Sequence, residues 1–556
     1  SMCVFISFII IPLIQPGIGV YNINGENTLA YISPREIISN ETRTYNNKTY
    51  EYTHGYGTII TSASRTSDSG ALSYINSSFE NSENSVKISE PRIYFGLQTN
   101  DLIAINQNED KEYDYPLTST SNNYNTYDGK AGIKLGFFDR LILGIKEKNI
   151  KLAFSKDINS ETNIIIKRNI LDRVKKVMPY LEYDEEPYMI ITDSGSLVWV
   201  IDCYTTSSSY PYSQVTNLLQ DNGTIKKINY IRNSAKVLVD SYNGTMKFYI
   251  TDKSDPIIMS YWKMYPELFE DLNEKIPEDI SKHFVYPKYL YNIQKDILKQ
   301  YHQVKPEVLY RSDDVWDTAK ENTSKVTTLV GTDIEPYYTI VKTVNNDKAT
   351  LGLVLPYTIS EKQNINAYLV GTYNEKGEKE LKIYKFNKDS AILGTLQLDT
   401  LIEQDEKISV ELKAIEVTGT KIEKNIIVIP VNNTLLYVEP IFQVLQNENK
   451  MSPILKKVIV ASGNKVAIGN NIEEALNNLL SQEAVSIKIE TDNIDDLIEE
   501  IIKANKNLTQ SNQSNDWLLI GQDIEKLQSL ITELEKLVEE TKKEEKETTA
   551  NKIIQE

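Results

Sequence analysis

The side chains that could do chemistry are few, and their spacing matches no familiar catalytic or metal-binding pattern. The 556 residues include three histidines, His54, His283 and His302, and no two of them have the spacing of a metal-ligand pair. The sequence contains no GxSxG elbow, no P-loop and no dinucleotide-binding fingerprint. We therefore predict no catalytic residue, no cofactor-binding residue and no metal ligand.

Two of the histidines have simple structural interpretations. His54 lies between Thr53 and Gly55 in a glycine-rich turn, where we expect its ring to hydrogen-bond the backbone; a catalytic or ligand role is the alternative. His302 lies near the end of a predicted helix. There we expect a surface charge, or a partner for the helix dipole.

Asp202 is the acid that most needs an explanation, because it lies inside an apolar predicted strand beside Tyr204. A carboxylate buried in a strand requires a partner, and Arg232 or Arg173 could supply it. We expect a structural ion pair, with a general acid as the alternative. Acid-rich runs at 184–186 and 313–317 lack the spacing of a calcium loop and are interpreted as solvated charge.

The two cysteines, Cys3 and Cys203, are too few for a disulfide framework or a zinc site. Cys203 lies in a predicted buried strand, where a free thiol behaves as a small hydrophobic side chain. A Cys3–Cys203 bridge is the alternative.

The charge balance excludes some partners. The net charge is −18, from 78 acidic against 60 basic residues. This argues against nucleic-acid binding, which needs clustered Lys and Arg, and against docking on anionic lipid by charge alone. No segment reaches the roughly 18–20 apolar residues of a membrane span. Residues 3–14 come nearest but include Pro12. A buried strand, or the edge of a truncated chain, is the preferred interpretation, with the stub of a membrane segment as the alternative.

Two consecutive β-hairpins within residues 187–250 are the predicted centre of the fold. The first turns at 193–196, and its strands are apolar on both faces. The second turns at Asn243-Gly244, which favours a two-residue type I′ loop, one buried face and one wetter face. That loop fixes three cross-strand pairs: Val237 with Ile250, Val239 with Phe248, and Asp240 with Lys247.

Helices and further strands follow from hydrophobic periodicity and capping signals. We predict helices over 135–153, over 164–182, from Asp255-Pro256 to Pro266, and over 287–303. From residue 335 the chain is again rich in strands, with hairpins around 432–433 and 463–464. A capping box at Asn471 and Glu474 then begins a short helix.

The predicted fold class is α+β, with a mainly antiparallel β-sheet body and several packed helices. A helical hairpin over 492–541 is predicted from a seam of apolar residues at three- and four-residue steps. We expect this helical hairpin to pack on the body; the alternative is that it binds a protein partner or mediates self-association. The predicted divisions are an apolar flank at 1–20 (or membrane stub), an α+β domain at 21–310, a β-rich domain at 335–480, the hairpin at 492–541, and a disordered charged tail at 542–556.

Several sequence blocks resemble one known family. They include EYTHGYGTII at 51–60, PRIYFGLQTN at 91–100, the long run at 173–213, and LKKVIVASGNKVAIGNNIEEAL at 455–476. Together, over roughly residues 21–540, they resemble the uncharacterised protein family UPF0182, multi-pass membrane proteins with a very large soluble region. The resemblance implies an extracytoplasmic region at the cell membrane, held there by helices that this chain does not contain. It implies no catalytic residues.

The expected function is therefore a non-enzymatic binding or scaffolding surface at the bacterial cell envelope. One alternative is an envelope polysaccharide hydrolase using two carboxylates, since such a pair is invisible in sequence. Another is a ligand-sensing module coupled to the membrane helices. No cofactor and no nucleic acid are expected.

Overall fold

The computed structural model describes most of the chain between residues 17 and 481. The gaps are 24, 39–42, 68, 79–84, 107–111, 119, 220–222, 324–330, 342–348, 375–376, 387–391, 416–419, 432–433 and 446–452; residues 498, 501–507, 526–527 and 530–531 are also described. The chain forms two compact units. The first contains residues 1–318, 334–360 and 367–385, and the second contains 319–333, 361–366 and 386–556.

The first unit begins with short antiparallel strands. These are β1 (Gly17–Ile23), β2 (Glu26–Pro34), β3 (Gly55–Tyr56), β4 (Thr58–Thr66), β5 (Leu72–Asn76), β6 (Arg92–Ile93), β7 (Ile103–Ile105), β8 (Glu112–Pro116), β9 (Asn122–Asn125) and β10 (Asn163–Ile165). A four-stranded sheet has the order β1-β2-β4-β5, and the pairs β3-β6, β7-β10 and β8-β9 stand apart from it.

The predicted double hairpin forms the central sheet of this unit. Its strands are β11 (Glu182–Tyr183), β12 (Tyr188–Ile191), β13 (Leu197–Ser207), β16 (Tyr230–Asp240) and β17 (Met246–Ile250), while β14 (Thr216–Leu219) and β15 (Ile225–Ile228) form a separate hairpin. The first predicted turn is confirmed, because Ile191 pairs with Leu197 around residues 193–196. One face of the sheet carries Trp199, Val237 and Phe248 into the main hydrophobic core.

The predicted register of the second hairpin is wrong by two residues. Val237 pairs with Phe248, and Val239 pairs with Met246. The loop is longer than two residues because Asp240 caps it: its Oδ1 accepts hydrogen bonds from the backbone N–H groups of Tyr242 and Asn243 at 3.1 and 2.5 Å. A shift of two keeps each side chain on its predicted face. The second face is also covered, since Leu238 and Tyr249 are buried there, so the sheet is not half-buried.

A third sheet completes the first unit, and the second unit has its own. In chain order the remaining strands are β18 (Trp316–Thr318), β19 (Lys320–Glu321), β20 (Thr332–Asp333), β21 (Tyr337–Val341), β22 (Thr350–Ile359), β23 (Ile365–Tyr373), β24 (Lys379–Lys385), β25 (Thr420–Lys424), β26 (Ile427–Val431), β27 (Thr434–Leu445), β28 (Ile454–Ser462) and β29 (Lys465–Gly469). The sheet orders are β18-β22-β23-β24, with β21 on β22, and β25-β27-β28-β29, with β26 on β27. Both hairpin pairings predicted after residue 425 are confirmed; residues 432–433 themselves lie outside the described residues.

Ten α-helices lie within the described residues between 17 and 481. They are α1 (Phe137–Lys146), α2 (Lys151–Phe154), α3 (Ile170–Val177), α4 (Pro256–Met264), α5 (Glu278–Ser281), α6 (Lys288–Tyr301), α7 (Pro306–Arg311), α8 (Thr395–Gln404), α9 (Glu406–Ile415) and α10 (Ile472–Ser481). Separate antiparallel sheets with helices in blocks confirm the α+β class. None of these helices is long and apolar enough to cross a membrane.

The four helices predicted between residues 135 and 303 are confirmed, but two have different limits. The segment 135–153 is broken in two, because Lys148 adopts a left-handed conformation (φ 54°) between α1 and α2. The segment 164–182 begins as strand β10, and its helix starts only after Asn169, whose side chain accepts from the N–H of Asp172. The segment 287–303 is α6, and the helix predicted at Asp255-Pro256 is α4.

Asp255 does more than cap its helix. Its side chain accepts from the N–H of Ile257, as predicted, and also from the hydroxyls of Thr205, Tyr230 and Ser234. The cap thus joins α4 to β13 and β16. At the second unit's predicted capping box, the N–H of Glu474 donates to Asn471 Oδ1 at 2.9 Å. Most of the predicted hairpin at 492–541, and all of residues 1–16 and 542–556, lie outside the described residues.

The turn at Gly244 generates a stability prediction. Gly244 has φ of 64°, and an added Cβ would lie 2.5 Å from the ring of Phe95, whereas Gly223 has φ of 76° and open space around it. We expect Gly223→Ala to cost about 1 kcal/mol for the left-handed backbone alone. Gly244→Ala should cost about 3 kcal/mol, because overpacking is added. Urea denaturation measures both, and equal losses would contradict the packing role of Gly244.

Candidate functional site

The most unusual polar feature of the first unit is an ion pair inside the central sheet. Asp202 on β13 lies directly opposite Lys236 on β16, and the ammonium Nζ of Lys236 donates to Asp202 Oδ1. Both side chains are almost fully buried. The rings of Phe284 and Tyr373 cover the ammonium, with centroids 4.5 and 5.7 Å from Nζ. The ion pair is therefore sealed by aromatic side chains.

A β-bulge supplies the remaining contacts of this pair. The register between β13 and β16 shifts after Cys203, so that Asn233 and Ser234 both fall opposite Tyr204. Bulges re-aim side chains, and here the Nδ2 of Asn233 donates to Asp202 Oδ1 at 2.9 Å. Lys379 on β24 donates in turn to the Asn233 side-chain and backbone oxygens at 2.6 and 2.7 Å. We call Asp202, Asn233, Lys236 and Lys379 the buried charge centre.

Two opposing effects set the lysine pKa values in the buried charge centre: burial lowers them, and pairing with a carboxylate raises them. Burial alone would lower the pKa of Lys236, but the Asp202 carboxylate outweighs it and raises that pKa. Lys379 is partly buried, and no carboxylate among the described residues forms an ion pair with it. Its burial, together with the charge of Lys236, lowers its pKa to about 8. Of the two lysines of the centre, Lys379 is thus the one whose pKa lies closer to neutral pH.

A second carboxylate lies close to the centre without joining it. Asp184 follows β11, and its backbone N–H donates to the Asp202 carbonyl at 2.9 Å. Its Oδ2 accepts from the hydroxyl of Tyr204 at 2.6 Å. Burial and the nearby Asp202 charge raise the pKa of Asp184 to about 6. Asp184 and Asp202 are therefore two neighbouring acids with different environments, and both are buried. The prediction of solvated charge at 184–186 is thus wrong for Asp184, whose carboxylate is enclosed with the Tyr204 hydroxyl.

His54 is a buried turn histidine, as predicted. Its Nδ1 lies 3.1 Å from the carbonyl oxygen of Gly55. Its Nε2 lies 3.8 Å from Asp114, whose carboxylate is held by two hydrogen bonds from Arg92 at 2.9 and 3.1 Å. Burial lowers the pKa of His54 to about 3. The ring is therefore neutral at pH 7 and does not form an ion pair with Asp114.

The prediction that His302 is a surface charge is wrong, while its contact with the helix end is confirmed. The ring is buried and stacks on Trp316 with centroids 3.4 Å apart. Its Nδ1 lies 2.8 Å from the carbonyl oxygen of Leu298 in the last turn of α6. The ring contacts Trp316 where we expected solvent, because stacking of the two rings buries both of them.

The second unit has a carboxylate-rich cluster of its own, here called the second-unit acid cluster. Lys424 Nζ lies 2.6 Å from Asp399 and 2.7 Å from Glu439, and Glu321 accepts from the N–H of Ile426 at 2.8 Å. The three acids are buried. Burial, opposed by that backbone bond, and the charges of Glu439 and Asp399 raise the pKa of Glu321 to about 7. One ammonium for three carboxylates means that the folded cluster retains protons that exposed carboxylates would release.

The predicted partners of Asp202 are wrong. Arg232 pairs with Asp252 at 2.8 Å, and the Nε of Arg173 donates to the Gly244 carbonyl at 2.9 Å. Lys236 takes their place because the observed strand pairing puts it opposite Asp202. The sequence carried a signal for this: Asp202 and Lys236 are isolated opposite charges inside two neighbouring apolar strands. The expected structural ion pair itself is confirmed.

Other predicted groups are dispersed. Cys203 is a buried free thiol whose Sγ lies 3.5 Å from the Ile201 carbonyl oxygen. In the run 313–317, Asp313 pairs with Arg311 at 2.8 Å and Asp314 lies 3.6 Å from His302. No group of three or more His, Cys, Asp or Glu side chains within the described ranges is arranged to hold a metal ion.

Comparison with known proteins gives a family. A model of the uncharacterised protein family UPF0182 matches residues 16–415. The chain belongs to this family. It is 38% identical over 476 residues to a UPF0182 protein of Caldicellulosiruptor saccharolyticus, which covers 85% of the chain and 51% of that relative. It is 35% identical to UPF0182 proteins of Clostridium kluyveri and Clostridium acetobutylicum, over 93% of the chain and 57% of each relative.

The chain thus spans about half the length of the curated UPF0182 relatives it matches. No solved structure matches it. The UPF0182 match includes the whole buried charge centre and His54. It ends before Lys424 and Glu439, two members of the second-unit acid cluster.

The buried ion pair predicts a large stability loss on neutralisation. Asp202→Asn leaves the buried Lys236 ammonium without its countercharge, so we expect a loss of about 3 kcal/mol in the free energy of unfolding. The double variant Asp202→Leu with Lys236→Met should recover most of that loss, because neither member of the pair is then left as an unpaired buried charge. Asp193→Asn, which breaks an exposed pair with Lys282, is the matched control and should change little. Chemical denaturation that ranks Asp202→Asn with the control would contradict this account.

The second-unit acid cluster predicts a pH-dependent effect. Folded Glu321 holds its proton up to about pH 7, whereas an unfolded glutamate releases it near pH 4.5. Its contribution to stability is therefore present at low pH and is lost as the pH rises from about 4.5 to about 7. Glu321→Gln avoids that loss, so we expect it to be more stable relative to the parent at pH 8 than at pH 5, by roughly 2 kcal/mol.

Calorimetry at the two pH values tests this expectation. Glu406→Gln, at an exposed position in the same unit, is the control and should track the parent at both. A Glu321→Gln difference that is the same at pH 5 and pH 8 would mean that Glu321 is ionised in the folded protein at both.

Proposed function

We propose that this chain is an extracytoplasmic region of a membrane protein and works as a binding or scaffolding surface at the cell envelope. The family resemblance supports the location. The burial of the charged groups supports the role as a binding or scaffolding surface. Asp202, Lys236 and His54 are buried and committed to structural contacts. A general acid must reach the proton it transfers, and buried groups without an opening do not.

Carbohydrate is the ligand class that the surface of the first unit favours. Tyr180, after α3, stacks on Tyr261 and Tyr265 of the α4 region, with centroids 5.9 and 6.2 Å apart. Tyr180 and Tyr265 are exposed, as is Met264. We call these four residues the tyrosine surface. Aromatic rings with hydroxyl groups offer an apolar face and polar edges together, which suits a neutral sugar ring better than a charged ligand.

The alternative of a polysaccharide hydrolase has less support. It requires two carboxylates that face a substrate across a cleft. One pair of neighbouring acids, Asp184 and Asp202, is buried, with Tyr204 hydrogen-bonded to Asp184. A polar recess lined in part by Lys167, Arg168 and Asp172 has a volume of about 100 Å³. Ligand pockets are usually about 300 Å³ or larger.

A thermal-shift experiment tests the proposed ligand class. We expect neutral oligosaccharides to raise the melting temperature, because a ligand of the native state stabilises it by mass action, and peptides or divalent cations to leave it unchanged. Tyr265→Ala should abolish the shift. Tyr310→Ala removes a highly exposed tyrosine outside the tyrosine surface and should not. Shifts with peptides instead would replace carbohydrate by a protein ligand.

The location has a separate test. In intact cells that express the full-length protein, added protease should cleave the region corresponding to this chain. Cleavage only after the cells are permeabilised would place the region on the cytoplasmic side. An antibody against α10 would follow the fragments, and a cytoplasmic enzyme would control for leakage.

A further inference from the structure

The helical hairpin formed by α1 and α2 exposes an unusual number of large apolar side chains. Phe138 is 76% exposed and Ile142 66% exposed, and Phe137, Ile145 and Phe154 are also exposed. Phe138, Ile142 and Ile145 are spaced by four and three residues, so they form one stripe along α1. The ring of Phe137 lies 5.8 Å from that of Phe154, which joins the stripe to α2. We call these five residues the apolar stripe.

The apolar stripe is not needed to hold the hairpin in place. The inner side of the hairpin is already packed, because Leu143 of α1 and Leu152 of α2 are buried in a cluster with Tyr50, Ala104 and Ile164. Gly144 allows the turn to close tightly: its carbonyl oxygen accepts from the N–H of Asn149 at 2.6 Å, and a Cβ there would meet Asn149 at 2.8 Å. The hairpin is therefore apolar on two sides. An α-helix apolar all round is normally buried.

The charges around the apolar stripe identify what would cover it. Residues 137–156 contain five basic and two acidic side chains, in a chain whose net charge is −18. Lys146, Lys148 and Lys151 are exposed at the end of α1, in the turn and at the start of α2. Exposed Phe and Ile flanked by lysines are the pattern of helices that lie in a membrane interface. The local positive charge attracts an anionic membrane surface, which the net negative charge of the whole chain would repel.

We propose that the α1–α2 hairpin docks on a bilayer containing anionic phospholipid. The apolar stripe enters the boundary between headgroups and acyl chains, and the three lysines contact the lipid phosphates. This inference does not depend on the proposed function, since it rests on side chains of α1 and α2 alone and needs no carbohydrate ligand. It would hold whichever side of a membrane the chain occupies.

Vesicle flotation with the 556-residue chain tests the proposal. We expect binding to vesicles of phosphatidylcholine mixed with phosphatidylglycerol, weaker binding to phosphatidylcholine alone, and loss of the difference at high salt. Phe138→Glu and Ile142→Glu should each weaken binding by about tenfold or more, because each removes a large apolar side chain and adds a negative charge. Lys146→Gln with Lys148→Gln should weaken binding to the anionic vesicles only.

Val304→Glu is the matched control, because Val304 is 92% exposed, lies outside the hairpin, and gains the same charge. Circular dichroism should show that all variants are folded, since the substituted side chains are exposed. Binding that Phe138→Glu leaves unchanged, or no binding by the parent chain, would overturn the proposal. A parent dimer in sedimentation that Phe138→Glu converts to monomer would overturn it too, by assigning the apolar stripe to a second copy.

Discussion

Lys236 and Asp202 lie opposite each other on the two longest strands of the central sheet, and neither charge reaches solvent. Moving either ion alone into the protein interior would cost several kcal/mol, so each is tolerable only beside the other. This constraint extends outward. A one-residue slip between β13 and β16 would part the ions as well as turn the apolar faces, and the β-bulge at Asn233 adds a second donor to Asp202. The pair thus specifies the register of the sheet more strongly than apolar packing would alone.

The same requirement governs other buried charges in the first unit. The guanidinium of Arg168 is almost fully buried, and it donates to the backbone carbonyls of Tyr94, Asp101 and Thr53, which lie 74, 67 and 115 residues before it in the chain. Glu112 accepts from the hydroxyls of Thr53 and Tyr94 at 2.7 and 2.8 Å. These contacts tie together the chain segments beside the short strands β3, β6, β7 and β8. These polar side chains have the composition of a reactive site, but here they hold separate segments of the chain together. Each needs its hydrogen-bond partners, because a buried polar group without a partner would destabilise the fold.

The extent to which sequence predicts this structure depends on the range of the interaction. Strand pairs with a clear turn, such as 188–191 with 197–207, and caps such as Asp255, were predictable because neighbouring residues determine them. The strand register at Asn243-Gly244 was not predictable, because the side chain of Asp240 accepts hydrogen bonds from the backbone of the turn. Asn243 Oδ1 accepts instead from the N–H of Lys130 at 2.8 Å. Lys236 was missed for a similar reason: its role follows from pairing between strands. Nothing local signals that residues 334–360 and 367–385 belong with the first unit.

The distribution of polar and apolar groups bears on function. Several groups with shifted pKa values lie in the interior of the protein. Lys236 is paired there with Asp202, burial keeps His54 neutral, and burial with neighbouring carboxylates raises the pKa of Glu321. Large apolar side chains are turned outward on α1 and α2, where lysines surround them. Exposed apolar residues mean something when they are contiguous, because leaving them in water costs free energy that packing could have recovered. On the first unit they are contiguous on a hairpin whose inner side is already packed, which supports the proposed docking of that hairpin on a bilayer.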